Sequence, residues 1–263
     1  ATPDFAHRAP CLAVLDAGLA LLVEKPLATT LDDAVAIAEA AERAHAPAAV
    51  DFHNRYHPAL RTCRSRLDDG TLGRPQMLYA RLSDRIEVAT EWFAWSAKSG
   101  PEWFLGPHLV DAAYYLFDQW PTRVYAEGRR DVLAERGIDC CDSVQMHLSM
   151  PNGFGTLETS WIVPDTLPMI CDFTLSLQAT AGRCDIDLNH QGITLMAPGE
   201  YEKPLLFGQT PVGEDDFGYF SFPVRDFLRA VASGAPAPMP LWEGVANVAV
   251  LTAMAHVIAT EGL

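Results

Sequence analysis

Residues 19–34, LALLVEKPLATTLDDA, place a short apolar run directly before Lys25 and the start of a helix. The run LALLV lacks polar alternation, which is typical of a strand buried on both faces of a parallel sheet. Thr30 is the predicted N-cap of the next helix, with Asp33 three residues on. Because ligands of open α/β sheets lie outside the carboxyl ends of the strands, Lys25 occupies a position suited to a binding site.

The order of predicted helices and strands changes near residue 57. Residues 1–56 follow the order helix, strand, helix, strand, which indicates βα units in a parallel sheet. A helix at 57–69, a strand in QMLYARLS, a Trp-rich loop and a helix at 106–118 come next. The later strand-like runs are 123–130, 142–150, 154–162, 171–180, 184–188 and 193–197, with hairpin signals in MPNGFG and LNHQGI.

These patterns predict an α/β part followed by an α+β part with a large, open antiparallel sheet. We assign residues 1–56 to the first domain, 57–241 to the second, which includes a helix at 217–233, and 242–263 to a closing helix. Since no helix is evident on the second face of the broad sheet, we expect a homodimer or homotetramer built through that face.

Composition excludes several classes of partner. The 263 residues carry a net charge of −15, which argues against nucleic acid and anionic membranes. We see no apolar run of about 18 residues and therefore predict no membrane span. The six cysteines match neither a zinc pattern nor a disulfide framework, so we expect reduced thiols, no metal and a cytoplasmic protein. We place the adjacent Cys140 and Cys141 in a strand.

Lys25 and His108 are the candidate acid–base residues. A lysine at a strand end can shift its pKa and act as acid, base or electrostatic clamp, although a solvated loop lysine is the alternative. Glu24 could pair with it, and Pro26 would fix the backbone. His108 lies near a helix start, where Asp111 could orient the imidazole or complement the helix N-terminus. A structural histidine is the alternative.

Two further groups are candidates for ligand contacts. The run DFHNRYHP follows the second strand and supplies donors suited to a polyhydroxylated or phosphate-bearing ligand, or helix capping alone. These donors are Asn54, Arg55, Tyr56 and His57. Aromatic residues at 92–104 and beyond could form a lid or sugar-stacking surface, or pack between the domains. They are Trp92, Trp95, Trp103, Phe104 and Trp161.

Five segments, taken in order, resemble the Gfo/Idh/MocA oxidoreductases. They are TPDFAH, AGLALLVEKPLATTLDDA, NRYHPAL, DGTLGRPQMLYAR and GPHLVDAAYYLF. The resemblance implies a Rossmann domain that binds NAD or NADP, followed by the open-sheet domain. It also implies hydride transfer to or from a carbinol of a sugar, polyol or cyclitol.

The same resemblance implies roles for individual residues. Lys25 and His108 would be catalytic. The cofactor side would be formed with Lys25 by Thr2, Pro3, His7, Glu24 and Pro26. On the substrate side the resemblance implies Asn54 and Arg55, and to these we add Tyr56, Trp103, Asp111 and Trp161 from their residue types and positions.

Two departures from the family pattern leave alternatives open. The sequence contains no G-x-G-x-x-G, so the half-domain with the glycine fingerprint, about 70–80 residues, is either lost in a truncated gene product or lies outside this sequence. Phe104 stands where the family has an Asp four residues before the histidine. Asp111 or Glu102 would then have to serve His108. A non-catalytic sugar- or nucleotide-binding relative and NAD-dependent glycosidase chemistry are the alternatives.

Overall fold

The computed structural model describes residues 2–190, 192–204, 209–212 and 215–261. The helices are α1 Arg8–Asp16, α2 Leu31–Ala44, α3 Pro58–Asp68, α4 Pro101–Phe104, α5 Gly106–Phe117, α6 Ser221–Ser233 and α7 Leu241–Glu261. The strands are β1 Leu21–Glu24, β2 Ala48–Asp51, β3 Pro75–Arg85, β4 Arg123–Arg129, β5 Ser143–Met150, β6 Gly153–Val163, β7 Cys171–Ala179, β8 Arg183–Asp187, β9 Gly192–Ala197, β10 Glu200–Glu202, β11 Gln209–Val212 and β12 Asp215–Gly218.

The first part of the chain forms the predicted parallel unit. β1 pairs with β2 in parallel, and α1 and α2 pack against this pair. The Thr30 side chain accepts a hydrogen bond from the backbone N–H of Asp33 at 3.2 Å, which confirms the predicted N-cap of α2. The carboxyl ends of β1 and β2 therefore lie side by side and present Lys25 and residues 53–56 at one edge.

The second part is an eight-stranded sheet in the order β10-β9-β8-β7-β3-β6-β5-β4. Neighbouring strands are antiparallel except β3 and β6, which are parallel at the centre of the sheet. The predicted large, open and mainly antiparallel sheet is therefore confirmed, and its parallel pair at the centre was not predicted. Parallel strands need a crossover connection, and α4 and α5 lie in the long connection between β3 and β6.

Helix α7 contributes to two hydrophobic cores. Its first half packs Leu241, Val245 and Val248 against the parallel unit, and its second half packs Leu251 and Met254 beneath the large sheet. By length and composition alone α7 is long and apolar enough to cross a membrane, a feature that the search for an unbroken apolar run did not detect. Half of that apolar window is buried inside the structure, where it serves as a core helix.

Several local predictions need correction or lie outside the described residues. The predicted loop 92–104 contains short helical turns and α4, and α6 begins at Ser221 because β12 precedes it. The hairpin at MPNGFG is confirmed by the pairing of β5 with β6. Within LNHQGI and the closing helix, residues 191, 262 and 263 lie outside the description. The domain boundaries stay predictions.

The cysteines are unpaired, as predicted, but the strand predicted for two of them is not found. All six are free thiols, and five of them are buried. Cys140 and Cys141 lie in the turn that precedes β5 and not in a strand. Both side chains are buried in the core of the sheet domain.

Candidate active site

A cavity of about 430 Å³ opens at the carboxyl ends of β1 and β2, facing the inner side of the large sheet. Its walls come from the N-terminal segment, the two strand ends, the aromatic loop, the start of α5 and the ends of β3 and β7. The lining residues are Thr2, Asp4, His7, Glu24, Lys25, His53, Asn54, Leu82, Asp84, Phe93, Trp95, Phe104, Leu105, His108, Cys171, Phe173, Tyr219 and Phe220.

Lys25 is the buried cation of this cavity. Its side chain is 7% exposed, and Nζ donates a hydrogen bond to the Phe104 carbonyl oxygen at 2.6 Å. Nζ also lies 3.9 Å from the centroid of the Phe104 ring. Burial lowers the pKa of Lys25 to about 8, although nearby carboxylates, chiefly Glu24 and Asp4, raise it. Near neutral pH this lysine can therefore both hold and release a proton.

His108 lies in the first turn of α5, buried beside Lys25. Burial, reinforced by the charge of Lys25 and by His53, lowers its pKa well below the ordinary value. The His108 ring is 4.8 Å from the His53 ring, centroid to centroid. Its Nδ1 has no hydrogen-bond partner among the described residues. At neutral pH the imidazole is therefore uncharged, so one of its ring nitrogens carries a proton and the other can accept a hydrogen bond.

Three potential metal ligands adjoin the same strand ends. The ligand atoms of Glu24, Asp51 and His53 lie within 4.8 Å of one another. Burial raises the pKa of Asp51 to about 7, and burial followed by the charge of Lys25 lowers the pKa of His53 to about 3. A divalent cation here would stand close to the Lys25 ammonium, and the repulsion disfavours metal binding.

The structure brings about half of the predicted site residues to the cavity. Those that line it are Thr2, His7, Glu24, Lys25, Asn54 and His108. Those that do not are Pro3, Pro26, Arg55, Tyr56, Trp103, Asp111 and Trp161. Of the predicted aromatic surface, Trp95 and Phe104 line the cavity, while Trp92 is half exposed outside it.

Pro26 acts on the cavity through its backbone. The Lys25–Pro26 peptide bond is cis. His7 donates from Nδ1 to the Pro26 carbonyl oxygen at 2.8 Å, which holds the N-terminal segment against the loop after β1. Pro26 therefore supports the wall that His7 and Lys25 present, without lining it.

Asp111 does not orient His108. Its carboxylate, 2% exposed, accepts hydrogen bonds from Arg55 Nε at 3.0 Å on both oxygens. Arg55 Nη1 also lies 2.7 Å from Glu243 Oε2 in α7. A buried carboxylate needs a cationic partner, and Arg55 satisfies that need in place of the imidazole. This ion-pair group joins α5, α7 and the segment after β2 behind the cavity.

Sequence reasoning missed Asp4, His53, Asp84, Phe93, Tyr219 and Phe220 in the cavity wall. Asp84 carried a recognisable signal, because it follows Leu78, Ala80 and Leu82 on the core-facing side of β3, where the alternation calls for an apolar residue. Tyr219 and Phe220 carried none. They reach the cavity from a distant part of the chain, where the Tyr219 hydroxyl donates to Asn54 Oδ1 at 3.3 Å.

Two family models match the chain. The GFO/IDH/MocA C-terminal domain matches residues 60–184, and an oxidoreductase family with an NAD-binding Rossmann fold matches residues 1–52. D-apiose dehydrogenase of Paraburkholderia graminis is 32% identical over 159 residues, which cover 57% of this chain and 40% of that protein. The scyllo-inositol 2-dehydrogenase (NAD(+)) of Bacillus subtilis is 26% identical over 200 residues, which cover 74% and 56%.

Solved structures show the same fold. A levoglucosan dehydrogenase in complex with NADH and levoglucosan superposes with a TM-score of 0.86 over 100% of this chain and 77% of that one, at 19% identity. At this identity the likeness concerns the fold alone. The matched regions span about a third to a half of the length of the curated relatives, as for a glucose-6-phosphate 3-dehydrogenase of Bacillus subtilis, where the match covers 35% of that protein.

Proposed function

This chain belongs to the GFO/IDH/MocA family of oxidoreductases, and from that premise we propose that it transfers a hydride between NAD or NADP and a carbinol of a sugar, polyol or cyclitol. One observation carries the proposal. A buried lysine, with its pKa lowered to about 8, faces a cavity at the carboxyl ends of parallel strands beside an uncharged buried histidine. A titratable group in a cleft whose pKa is shifted toward neutral pH, as that of Lys25 is, is characteristic of acid–base sites.

The residues at the strand ends fit the nicotinamide end of a dinucleotide. Thr2, His7 and Glu24 line the cavity beside Lys25, at the edge where open α/β sheets bind such ligands. His108 lines the same cavity, and its buried Nδ1 has no hydrogen-bond partner in the described chain. A bound nicotinamide supplies the hydride chemistry. The chain supplies the orientation and handles the proton.

We assign to Lys25 the acceptance of the proton that the carbinol hydroxyl loses on oxidation. Oxidation of a carbinol releases a proton from the hydroxyl, and a lysine with a pKa of about 8 accepts it when neutral. His108 is too weak a base to be protonated near neutral pH, so it hydrogen-bonds the reacting oxygen as a neutral imidazole. The oxidation rate should therefore rise with pH through about 8, and the reverse reduction, which needs the ammonium, should fall.

The test combines cofactor binding with turnover. NADH and NADPH are titrated against the protein by fluorescence, and a panel of aldoses, anhydrosugars and inositols is assayed for nicotinamide reduction. Lys25→Ala and His108→Ala should each lower kcat by orders of magnitude. The exposed Lys98→Ala is the matched control and should keep full activity. Unchanged rates in both site variants would remove the assignment of Lys25 and His108.

One observation favours a second candidate, a binding protein without catalysis. Phe104 engages Lys25 twice, through its carbonyl oxygen and through its ring. If these contacts persist in the complex, the lysine is held away from the substrate oxygen. Tight cofactor binding with no turnover of any panel member would support this candidate over the dehydrogenase.

We also propose that the outer face of the large sheet forms a homodimer or homotetramer. Exposed Tyr79, Tyr125, Met77 and Phe154 lie on this face, and cross-strand pairing sets Met77 beside Phe154. An open apolar face of this kind is commonly an interface. Tyr125→Arg should then lower the solution mass measured by ultracentrifugation, whereas Leu228→Arg, on exposed α6, should not. A monomer at all concentrations would refute the assembly.

The cysteines support a reducing compartment. All six are free thiols, which is usual for proteins of the cytosol. We therefore propose a cytoplasmic location, to be tested by fractionation of the producing cells. Recovery in an oxidising compartment would refute it.

A further inference from the structure

The N-terminal segment, residues 2–7, is fixed to two different walls of the cavity. On one side His7 Nδ1 bonds the Pro26 carbonyl oxygen at 2.8 Å, just after β1. On the other side Ser99 Oγ donates to Asp4 Oδ2 at 2.5 Å, although the two residues are 95 positions apart in the chain. The segment therefore links the strand ends of the parallel unit to the aromatic loop, residues 92–104.

The contact between Asp4 and Ser99 is buried and specific. Asp4 is 4% exposed and Ser99 is 8% exposed. The second carboxylate oxygen of Asp4 accepts from the Phe5 backbone N–H at 2.8 Å, so each oxygen has a donor. A hydrogen bond to a charged group is among the stronger ones in a protein, and burial makes its loss costly. Phe5 adds an edge contact with the Trp95 ring, at 6.3 Å between centroids.

The loop side of this contact carries the aromatic wall of the cavity. Phe93 and Trp95 both line the cavity, and their rings stack at 4.5 Å between centroids. Ser99 lies shortly before α4, whose last residue, Phe104, holds Lys25 through its carbonyl oxygen. The position of Ser99 therefore bears on both the aromatic wall and the residue that holds Lys25.

Gly100 places a hinge directly after Ser99. Its φ of 132° and ψ of 165° lie in a region that is essentially restricted to glycine. Because glycine reaches many backbone conformations at little cost, this position can absorb a change in the direction of the loop. The bond from Ser99 to Asp4 therefore fixes a loop whose next residue is able to turn.

We propose that the Asp4–Ser99 hydrogen bond couples the two sides of the site, so that residues 92–104 become ordered when a nicotinamide dinucleotide occupies the cavity against residues 2–7. Thr2 and His7 belong to that segment and line the cavity at the strand ends. A ligand that immobilises the segment also immobilises the loop bonded to it, which lowers the entropy cost of binding the next ligand. The inference rests on the proposed function for its choice of cofactor.

Ser99 is then a positioning residue. It does not line the cavity, and it acts on the substrate side only through the loop that contains it. Since Asp4 and Ser99 form one hydrogen bond, removing either partner should uncouple the cofactor side from the substrate side. Coupling between two ligand sites is reciprocal and typically amounts to about 5- to 150-fold in affinity.

The test is amide hydrogen exchange with NADH as the probe, or NADPH if it binds more tightly. In the wild-type protein, saturating cofactor should slow exchange in residues 92–104 by about tenfold, in line with a coupling of ordinary size. In Ser99→Ala the cofactor should still slow exchange in residues 2–7, but it should change exchange in the loop by less than about twofold. By reciprocity, cofactor affinity should fall by no more than about tenfold, which shows that the variant folds.

Ser96→Ala is the matched control. Ser96 is a buried serine of the same loop, but its hydroxyl donates to the Ala89 carbonyl oxygen at 2.7 Å and not to residues 2–7. This variant should keep the effect of the cofactor on the loop. The double variant Asp4→Ala with Ser99→Ala should lose no more of that effect than Ser99→Ala alone, because both substitutions remove the same hydrogen bond.

Three results would overturn the coupling and leave the dehydrogenase proposal intact. They are a loop unaffected by saturating cofactor in the wild-type protein, a full cofactor effect on the loop in Ser99→Ala, and an equal loss of that effect in Ser96→Ala. Absence of binding of both NADH and NADPH would overturn the proposed function and this inference with it.

Discussion

Lys25 should destabilise the fold at neutral pH. Burial lowers its pKa from 10.5 to about 8, even though Glu24, Asp4, Asp84 and Asp51 favour the charged form. In the unfolded chain the lysine returns to its ordinary pKa of 10.5. The gap between these values, at about 1.4 kcal/mol per pH unit, corresponds to about 3 kcal/mol. That is the cost of keeping the ammonium in the cavity wall.

The sign of the pH dependence follows from the proton count. Between about pH 8 and pH 10.5 the unfolded chain still holds the proton that the folded chain has released, so this lysine makes the free energy of unfolding rise with pH. Below about pH 8 both states are protonated and the full cost is present. Above about pH 10.5 both are neutral and the cost has vanished.

Lys25→Met removes this cost and keeps a side chain of similar length. The variant also leaves the Phe104 carbonyl oxygen without its 2.6 Å hydrogen bond, which costs about 1 kcal/mol. We therefore expect a net gain in stability of about 2 kcal/mol at pH 7. Near pH 11 we expect a net loss of about 1 kcal/mol, so the effect changes sign within one protein.

The assay is urea unfolding of wild type and variant at pH 7 and pH 11, compared as differences at each pH. Lys98→Met, at an exposed lysine, is the control and should change stability by less than about 0.5 kcal/mol at either pH. Lower stability of Lys25→Met than of wild type at pH 7, or an equal gain in stability at both pH values, would refute the idea that burial of the ammonium destabilises the fold.

Three further substitutions test packing and charge, each by urea unfolding. Arg55→Met leaves the buried Asp111 carboxylate without its cationic partner and should lower the free energy of unfolding by about 3–5 kcal/mol. The double variant with Asp111→Leu should recover most of this loss. Equal losses in the single and double variants would contradict the ion pair. Gly244→Ala places a Cβ 2.6 Å from Val50 Cγ2, so we expect a loss of about 1–3 kcal/mol, and a gain from helix propensity would show that the contact relaxes. The Asp142 carboxylate accepts three backbone N–H groups at 2.6–2.7 Å. Asp142→Asn turns an amide NH₂ donor toward these N–H groups and should lower the free energy of unfolding by about 1–3 kcal/mol. An unchanged urea midpoint would show that these hydrogen bonds do not stabilise the fold.

Local patterns predicted the elements that depend on local physics. The apolar run before Lys25, the Thr30 cap and the hairpin between β5 and β6 were all found, because strand burial, capping and tight turns follow from a few neighbouring residues. The parallel pairing of β3 with β6 was not predicted. The paired residues are 77 or 78 positions apart along the chain, and the packing of the crossover helices, which no local pattern encodes, brings them together.

The same division runs through the candidate site. By itself the sequence determined that Lys25 ends a buried strand and that His108 starts a helix, since the period of the apolar residues fixes where each element begins. Only the tertiary structure decided which charges meet. In the folded protein Asp111 pairs with Arg55, His108 Nδ1 has no partner in the described chain, and Asp84 lines the same cavity as Lys25. Which charged groups interact depends on their distance and burial in three dimensions, and separation along the chain determines neither.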